Sequence, residues 1–217
     1  AYATIPGFSS GKSWGGVVLQ EPAQVHIVSP DAREVGLSTI VTAFAADPLL
    51  RWILPSADKY LNHSAGIFDG FGGVASDAGT AYQVADFAGV ALWVPPSHAQ
   101  HDDNDDAEFS ASLAQLVVPE QVEEVATVLT QMQSYHPDYD CWYLPLIGVD
   151  PGHQGRGLGA QLMKYALASC DEAGLPAYLE SSNPANISLY ERFGFEVMGR
   201  IQTKTSPAVH PMLRPRQ

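Results

Sequence analysis

The sequence is poor in cysteine and contains no long apolar run. Only Cys141 and Cys170 occur among its 217 residues, and two cysteines so far apart form neither a metal-ligand spacing nor a disulfide framework. No apolar run approaches the ~20 residues that a membrane-spanning helix needs. No basic segment followed by an apolar core indicates a signal peptide. These absences predict a cytoplasmic protein that does not interact with a membrane.

Basic residues are missing from the middle of the chain. No Lys or Arg lies in residues 60–155, although that stretch holds 14 of the 24 acidic residues, and the formal net charge of the chain is −13. A nucleic acid would be repelled by most of such a surface, so none is expected as a partner. A cationic ligand could be attracted by the acidic middle, and a small anion could be held by the more basic C-terminal third. Acidity that serves only solubility is the alternative.

The chain length suits one domain, which we expect at 25–217, after an N-terminal tail or extension at 1–24. Alternating and helical patterns of apolar residues predict an α/β fold. Strands are predicted at 25–30, 80–86, 89–96, 141–149, 176–182, 195–204 and 208–215. Helices are predicted at 31–46, 59–76, 119–132, 157–172 and 185–194. The acidic segment 98–109 is predicted to be a solvated loop, with a metal site as the weaker alternative.

The segment VDPGHQGRGLGAQLM, residues 149–163, places Gly155, Gly157 and Gly159 between a predicted strand and a predicted helix. Backbone N–H groups at the start of a helix have no helical partner and lie at the positive end of its dipole, which suits a phosphate or pyrophosphate. Glycine permits close approach and positive φ angles. The spacing Gly-x-Gly-x-Gly argues against a dinucleotide-binding fold, which needs Gly-x-Gly-x-x-Gly. A compact turn without a ligand is the alternative.

Two motifs resemble those of a known family. QGRGLG, residues 154–159, resembles the Gln/Arg-x-x-Gly-x-Gly/Ala loop of the GCN5-related N-acetyltransferase (GNAT) superfamily. NPANISLYERFGF, residues 183–195, resembles that family's closing motif of Asn, Leu-Tyr, a basic residue and Gly-Phe. The stretch 141–198 is most similar to the puromycin N-acetyltransferase branch.

The resemblance implies a single domain with a mixed, mostly antiparallel sheet of six or seven strands, flanked by helices and splayed between the fourth and fifth strands. Acetyl-CoA would lie in this gap as co-substrate, with no metal. Backbone groups of one strand would pair with the pantetheine arm, and the glycine loop would hold the pyrophosphate. The implied cofactor-binding residues are Ile147, Gly148, Val149, Gln154, Gly155, Arg156, Gly157, Leu158, Gly159, Asn186 and Tyr190.

The resemblance also makes Tyr190 the proton donor to the departing thiolate. Attack on a thioester needs a neutral amine, so a base must collect the amine's proton, and Glu180 is the candidate. The alternatives are that Asn186 only caps a helix, that Tyr190 only packs, and that Glu180 is a surface or salt-bridging carboxylate, which would leave the base role to another residue or water. Many relatives of the puromycin branch carry a histidine at the position of Cys141, so a base at that position is not expected here.

The residues and the resemblance together predict an acetyl-CoA-dependent N-acetyltransferase, acting as a monomer or homodimer. The acetyl group would pass to an amine of a small molecule by direct attack in a ternary complex. We hypothesise that this acceptor is cationic. No covalent acyl-enzyme is expected, because neither cysteine has a nearby pattern of His and acid. The alternatives are a non-catalytic acyl-CoA-binding sensor and an acyltransferase with another acyl-CoA or a hydroxyl acceptor.

Overall fold

The computed structural model describes residues 24–98 and 103–217. Within these ranges, seven strands form one sheet in the order β1-β2-β3-β4-β5-β7-β6, and the β4–β5 pair alone is parallel. The strands are β1 Val25–Ile27, β2 Ala81–Val84, β3 Gly89–Val94, β4 Trp142–Val149, β5 Ala177–Ser181, β6 Glu196–Val197 and β7 His210–Arg214. The predicted α/β fold is confirmed. The predicted extension 1–24 lies outside the described residues, apart from residue 24.

Helices cover both faces of this sheet. They are α1 Arg33–Ala43, α2 Pro48–Ile53, α3 Ala57–Gly72, α4 Val74–Asp77, α5 Asp103–Leu116, α6 Val122–Tyr135, α7 Leu158–Ala173 and α8 Ile187–Glu191. In the two described ranges, no helix is both long enough and apolar enough to cross a membrane. The prediction of a loop at 98–109 is wrong from Asp103 onward, where α5 begins. Residues 99–102 lie outside the described part of the chain.

Two apolar clusters fill the space between the sheet and its helices. Buried residues of α7, such as Leu162 and Met163, pack against one face of the sheet. Ile40 of α1 and Phe68 of α3 belong to the cluster on the other face. Because β3 is an interior strand of the sheet, with helices on both faces, all six of its residues are buried.

The sheet opens between β4 and β5, at Pro145. The parallel pairing covers only residues 142–144 of β4 and 177–179 of β5. Directly after this segment, the pairing between β3 and β4 is irregular, because the register shifts opposite Trp93. Pro145 lies at this irregularity, and a central strand tolerates proline at such a position. Proline also lacks the N–H group that continued pairing needs. Beyond this point β4 pairs with β3 and β5 with β7, and the predicted splay is confirmed.

Candidate active site

A cleft of about 550 Å³ occupies the gap between the two splayed strands. Its walls are the second half of β4, the loop into α7, the end of β5 and the short helix α8. The cleft is lined by all of the predicted site residues except Arg156. Two sequence motifs and one carboxylate that are distant in the chain therefore meet in one concave site.

The free edge of β4 presents backbone groups to this cleft. The N–H of Asp150 donates to the carbonyl of Ala88 in the neighbouring loop at 2.9 Å. Because antiparallel partners alternate, the backbone groups of Ile147 and Val149 point away from β3, into the gap. The Val149 carbonyl accepts a hydrogen bond from Nε2 of Gln154 at 3.1 Å. The edge thus offers unpaired strand positions to an extended ligand.

The packing of helix α1 requires glycine at position 148. A Cβ atom at this position would lie 2.6 Å from the Cβ of Ala43 in α1, closer than two such atoms approach. Helix α1 can therefore cross β4 closely because residue 148 is glycine.

The loop before α7 has the backbone geometry of an anion site. Gly155 and Gly157 have φ angles of +75° and +78°, the left-handed region that favours glycine. No side chain caps the first turn of α7, and that turn carries no acidic residue. The first amides of this 16-residue helix are thus left for another acceptor, at the positive end of its dipole. Gly159 has an ordinary helical conformation, with the nearest side chain, Leu189, 3.6 Å from an added Cβ.

The cationic side chain in the cleft wall is Arg192, not Arg156. The guanidinium of Arg156 donates to the carbonyl of Gly152 at 3.3 Å and lies outside the cleft lining. Arg156 thus does not line the cleft, although its neighbours Gly155 and Gly157 do. Arg192 is the basic residue of the closing motif, so the sequence did contain a signal for it. Because α8 turns this motif toward the gap, Arg192 can place a positive charge there.

The two predicted residues of the closing motif lie in α8 (Tyr190) and directly before it (Asn186). The side chain of Asn183 caps the preceding turn by accepting from the N–H of Ala185 at 3.0 Å. The side chain of Asn186 makes no capping hydrogen bond to α8. Asn186 therefore occupies the position before α8 without capping it through its side chain, and the residue lines the cleft.

Tyr190 packs in the core and also lines the cleft. Its side chain is 5% exposed, and its ring lies edge-on to Phe195 with the two ring centres 6.2 Å apart. Burial raises the pKa of the Tyr190 hydroxyl above its usual value, and the negative charge of Asp47 raises it further. The hydroxyl is therefore protonated at neutral pH, as a proton donor must be.

Glu180 lies near the end of β5, on the side of the gap opposite the glycine loop. Burial raises the pKa of its carboxyl group to about 7, against the opposing effect of the hydroxyl groups of Tyr143 and Tyr178. His136, at the end of α6, packs edge-on against both tyrosine rings at 5.0 Å between ring centres. A carboxylate with this pKa can accept a proton near neutral pH and release it again.

A second cavity of about 80 Å³ adjoins the cleft on the side of α1, α2, α3 and α6. Five residues line both spaces: Phe44, Asp47, Pro145, Glu180 and Ser182. This junction lies at the point where the sheet opens. The cleft and the second cavity are therefore adjacent, and Glu180 is one of the residues between them.

Asp47 and Ser182 also belong to the site, although the sequence did not predict them there. One carboxylate oxygen of Asp47 caps α2 by accepting from the N–H of Leu50 at 3.0 Å, and the other accepts from the Ser182 hydroxyl at 2.6 Å. Burial raises the pKa of Asp47. The residue order Asp-Pro indicates a helix start, but no sequence signal pairs residues 135 positions apart.

Neither cysteine has the properties of a nucleophile. Both thiols are buried, and burial raises the pKa of Cys141 to about 11 and that of Cys170 to about 12. They are therefore protonated and unreactive at neutral pH. Among the described residues, no group of three or more His, Cys, Asp or Glu side chains could hold a metal ion.

Known proteins share this architecture. The model of the acetyltransferase (GNAT) family matches residues 86–195. An uncharacterised N-acetyltransferase of Schizosaccharomyces pombe is 28% identical over 173 residues, which is 73% of this chain and 68% of that protein. The mycothiol acetyltransferase of Streptomyces avermitilis is 43% identical over 53 residues, only 23% of this chain and 17% of that enzyme. The structure of a Drosophila melanogaster polyamine N-acetyltransferase, 14% identical, has the same fold, with a TM-score of 0.60 over 88% of this chain and 98% of that one.

The family match spans half of the chain and includes both the glycine loop and the closing motif. Its boundaries also enclose the splayed strands β4 and β5 that form the cleft. The chain therefore belongs to the acetyltransferase (GNAT) family and is an N-acetyltransferase.

Proposed function

We propose that this protein transfers the acetyl group of acetyl-CoA to the amine of a small molecule by direct attack within a ternary complex. The observation that carries the proposal is the junction at Glu180, where a cleft with an uncapped glycine loop meets a second, apolar cavity. One space suits a phosphorylated co-substrate, and the other suits an acceptor. Their meeting point carries a carboxyl group whose pKa, about 7, suits proton transfer.

Acetyl-CoA would bind along the cleft. Its pantetheine arm would pair with those backbone groups of Ile147 and Val149 that point away from β3, as an added strand does, and the Gln154 side chain would have to release the Val149 carbonyl. The amides after Gly157 would hold the pyrophosphate, and Arg192 would balance part of its charge. The side chain of Asn186 is available to the arm because it caps no helix.

The chemistry would need one base and one acid. Glu180 would take a proton from the ammonium group of the acceptor, and the neutral nitrogen would attack the thioester carbonyl. As the tetrahedral intermediate collapses, the C–S bond breaks and Tyr190 would donate its proton to the departing thiolate. The nitrogen loses its second proton to solvent. A covalent acyl-enzyme finds no support, since the thiols of Cys141 and Cys170 are protonated.

Two further features support a small cationic amine as the acceptor. The Drosophila enzyme of the same fold is a polyamine N-acetyltransferase that forms N-acetylagmatine, so this fold accepts small amines. Residues 60–155 of the present chain contain no Lys or Arg, so a cation would approach without repulsion from that segment. A nucleic acid or membrane partner has no comparable support. A cytoplasmic location, and a monomeric or homodimeric state, stay predictions.

Release of free thiol from acetyl-CoA tests the proposal, with a panel of primary amines that includes puromycin. Turnover that requires an amine, together with an N-acetylated product found by mass spectrometry, is the expected result. Acetyl-CoA that binds but is never consumed would favour a sensor. Turnover only with another acyl-CoA, or only with alcohols, would favour the other acyltransferase. Any of these three outcomes would refute the proposal.

A further inference from the structure

We propose that the acceptor is a primary amine with one positive charge and a short apolar body. This inference rests on the proposed acetyl transfer and adds the chemical class of the acceptor. It follows from how polar and apolar groups are distributed in the second cavity. That cavity has a polar end at the junction with the cleft and an apolar remainder.

The remainder of the second cavity is lined almost entirely by apolar side chains. Apart from the five residues shared with the cleft, each lining residue except Tyr143 has an apolar side chain. Examples from three different helices are Ile53, Phe68, Phe71 and Leu129. A hydrocarbon body would gain free energy by leaving water for this space, whereas an uncompensated polar group would lose its hydration there.

The charges lie at one end only. The two carboxylates of the cavity, Asp47 and Glu180, are both among the residues shared with the cleft. Both oxygens of Asp47 already accept hydrogen bonds, from the N–H of Leu50 and the hydroxyl of Ser182. Glu180 interacts with the hydroxyl groups of two tyrosines, and since a carboxylate has about four acceptor positions, it can also accept from an ammonium group. The acceptor nitrogen would lie there, next to the cleft.

The same distribution disfavours two other classes of amine. A diamine or polyamine would have to place its second cation among apolar side chains, where an unpaired charge is strongly disfavoured. An amino acid would bring a carboxylate into a cavity that no Lys or Arg of the described ranges lines. The volume of about 80 Å³ limits the apolar body to a few carbon atoms.

Matched amines test this inference through kcat/KM in the thiol-release assay. The series runs from ethylamine to octylamine, and each member is paired with the α,ω-diamine of the same length. We expect kcat/KM to rise about four-fold per added methylene over the first few members and then to fall. Each of the shorter diamines should be poorer than its monoamine by on the order of 100-fold.

A pair of variants ties this preference to the second cavity. Leu129→Ala enlarges the cavity and should move the optimum to a chain longer by one or two methylenes. Leu116→Ala is the matched control, because Leu116 is likewise half-buried and packs against the same apolar cluster but does not line the cavity. The control should keep the wild-type optimum.

The outcomes separate the acceptor class from the proposed function. Diamines that react as well as monoamines, a flat dependence on chain length, or equal shifts in both variants would overturn the inference while leaving acetyl transfer intact. If no amine is acetylated, the proposed function fails, and calorimetric binding of butylamine and 1,4-diaminobutane to the acetyl-CoA complex decides the inference. Tighter binding of butylamine supports it, and equal or absent binding overturns it.

Discussion

Replacing Glu180 by glutamine should weaken activity and strengthen the fold at the same time. Burial raises the pKa of this carboxyl from its ordinary 4.5 to about 7, which means that the fold disfavours the ionised form. Glutamine has a similar shape and never ionises. The variant therefore removes a negative charge whose burial destabilises the folded protein.

The size and pH range of the stability effect follow from this pKa. A carboxyl whose folded pKa is raised contributes stability below its unfolded pKa of 4.5, and that contribution is lost as the pH rises through about 7. The difference between the two values corresponds to about 3 kcal/mol. Because the side chain keeps some contact with the solvent, we expect about 1–3 kcal/mol. Between about pH 4.5 and 8, the free energy of unfolding of Glu180→Gln should increase by this amount relative to that of the wild type.

Urea unfolding at both pH values measures this difference. Turnover should fall about 100-fold or more, which is usual for the loss of a general base. The wild-type rise of kcat/KM with pH toward about 7 should also disappear. Glu191→Gln is the control, because Glu191 is exposed on the nearby helix α8 and does not line the cleft. A stability difference between variant and wild type that does not change with pH would refute the raised pKa of Glu180. Near wild-type turnover of the variant would assign the base role to water or another residue.

Three further predictions test the remaining parts of the site. Tyr190→Phe should keep the packing against Phe195, leave acetyl-CoA affinity within a few-fold and lower kcat by about 100-fold; unchanged kcat with chemistry rate-limiting would make Tyr190 a packing residue. Gly157→Leu should weaken acetyl-CoA binding ten-fold or more in calorimetry, whereas Gly174→Leu, which meets a similar positive φ at the other end of α7, should share the stability cost and keep the affinity. Equal affinities would refute a pyrophosphate site. For the best amine, kcat/KM should fall as ionic strength rises from about 0.01 to 0.1 M. If kcat/KM does not change, the acidic residues do not attract the acceptor and serve only solubility.

Sequence patterns were sufficient where the structure depends on neighbouring residues. The start of α7 near Gly157 and its end at Gly174 were predicted, because helix periodicity and the positive φ of glycine are local properties. All but one of the residues expected at the site also line the cleft; their roles stay predictions. The helix α5 was missed because its acidic first turns have the composition of a solvated loop.

The tertiary structure decided the properties that arise between distant residues. It put Arg192 in the cleft wall in place of Arg156 and joined Asp47 to Ser182 across the gap. It also decided the pKa of Glu180, because that value depends on burial and on the hydroxyl groups of two tyrosines from different strands. The sequence by itself determined where the chain forms a loop for an anion, since that requires only consecutive backbone groups. The charge state of the carboxyl and the shape of the acceptor cavity depend on which side chains exclude water around them, and that is set only when separate elements pack together.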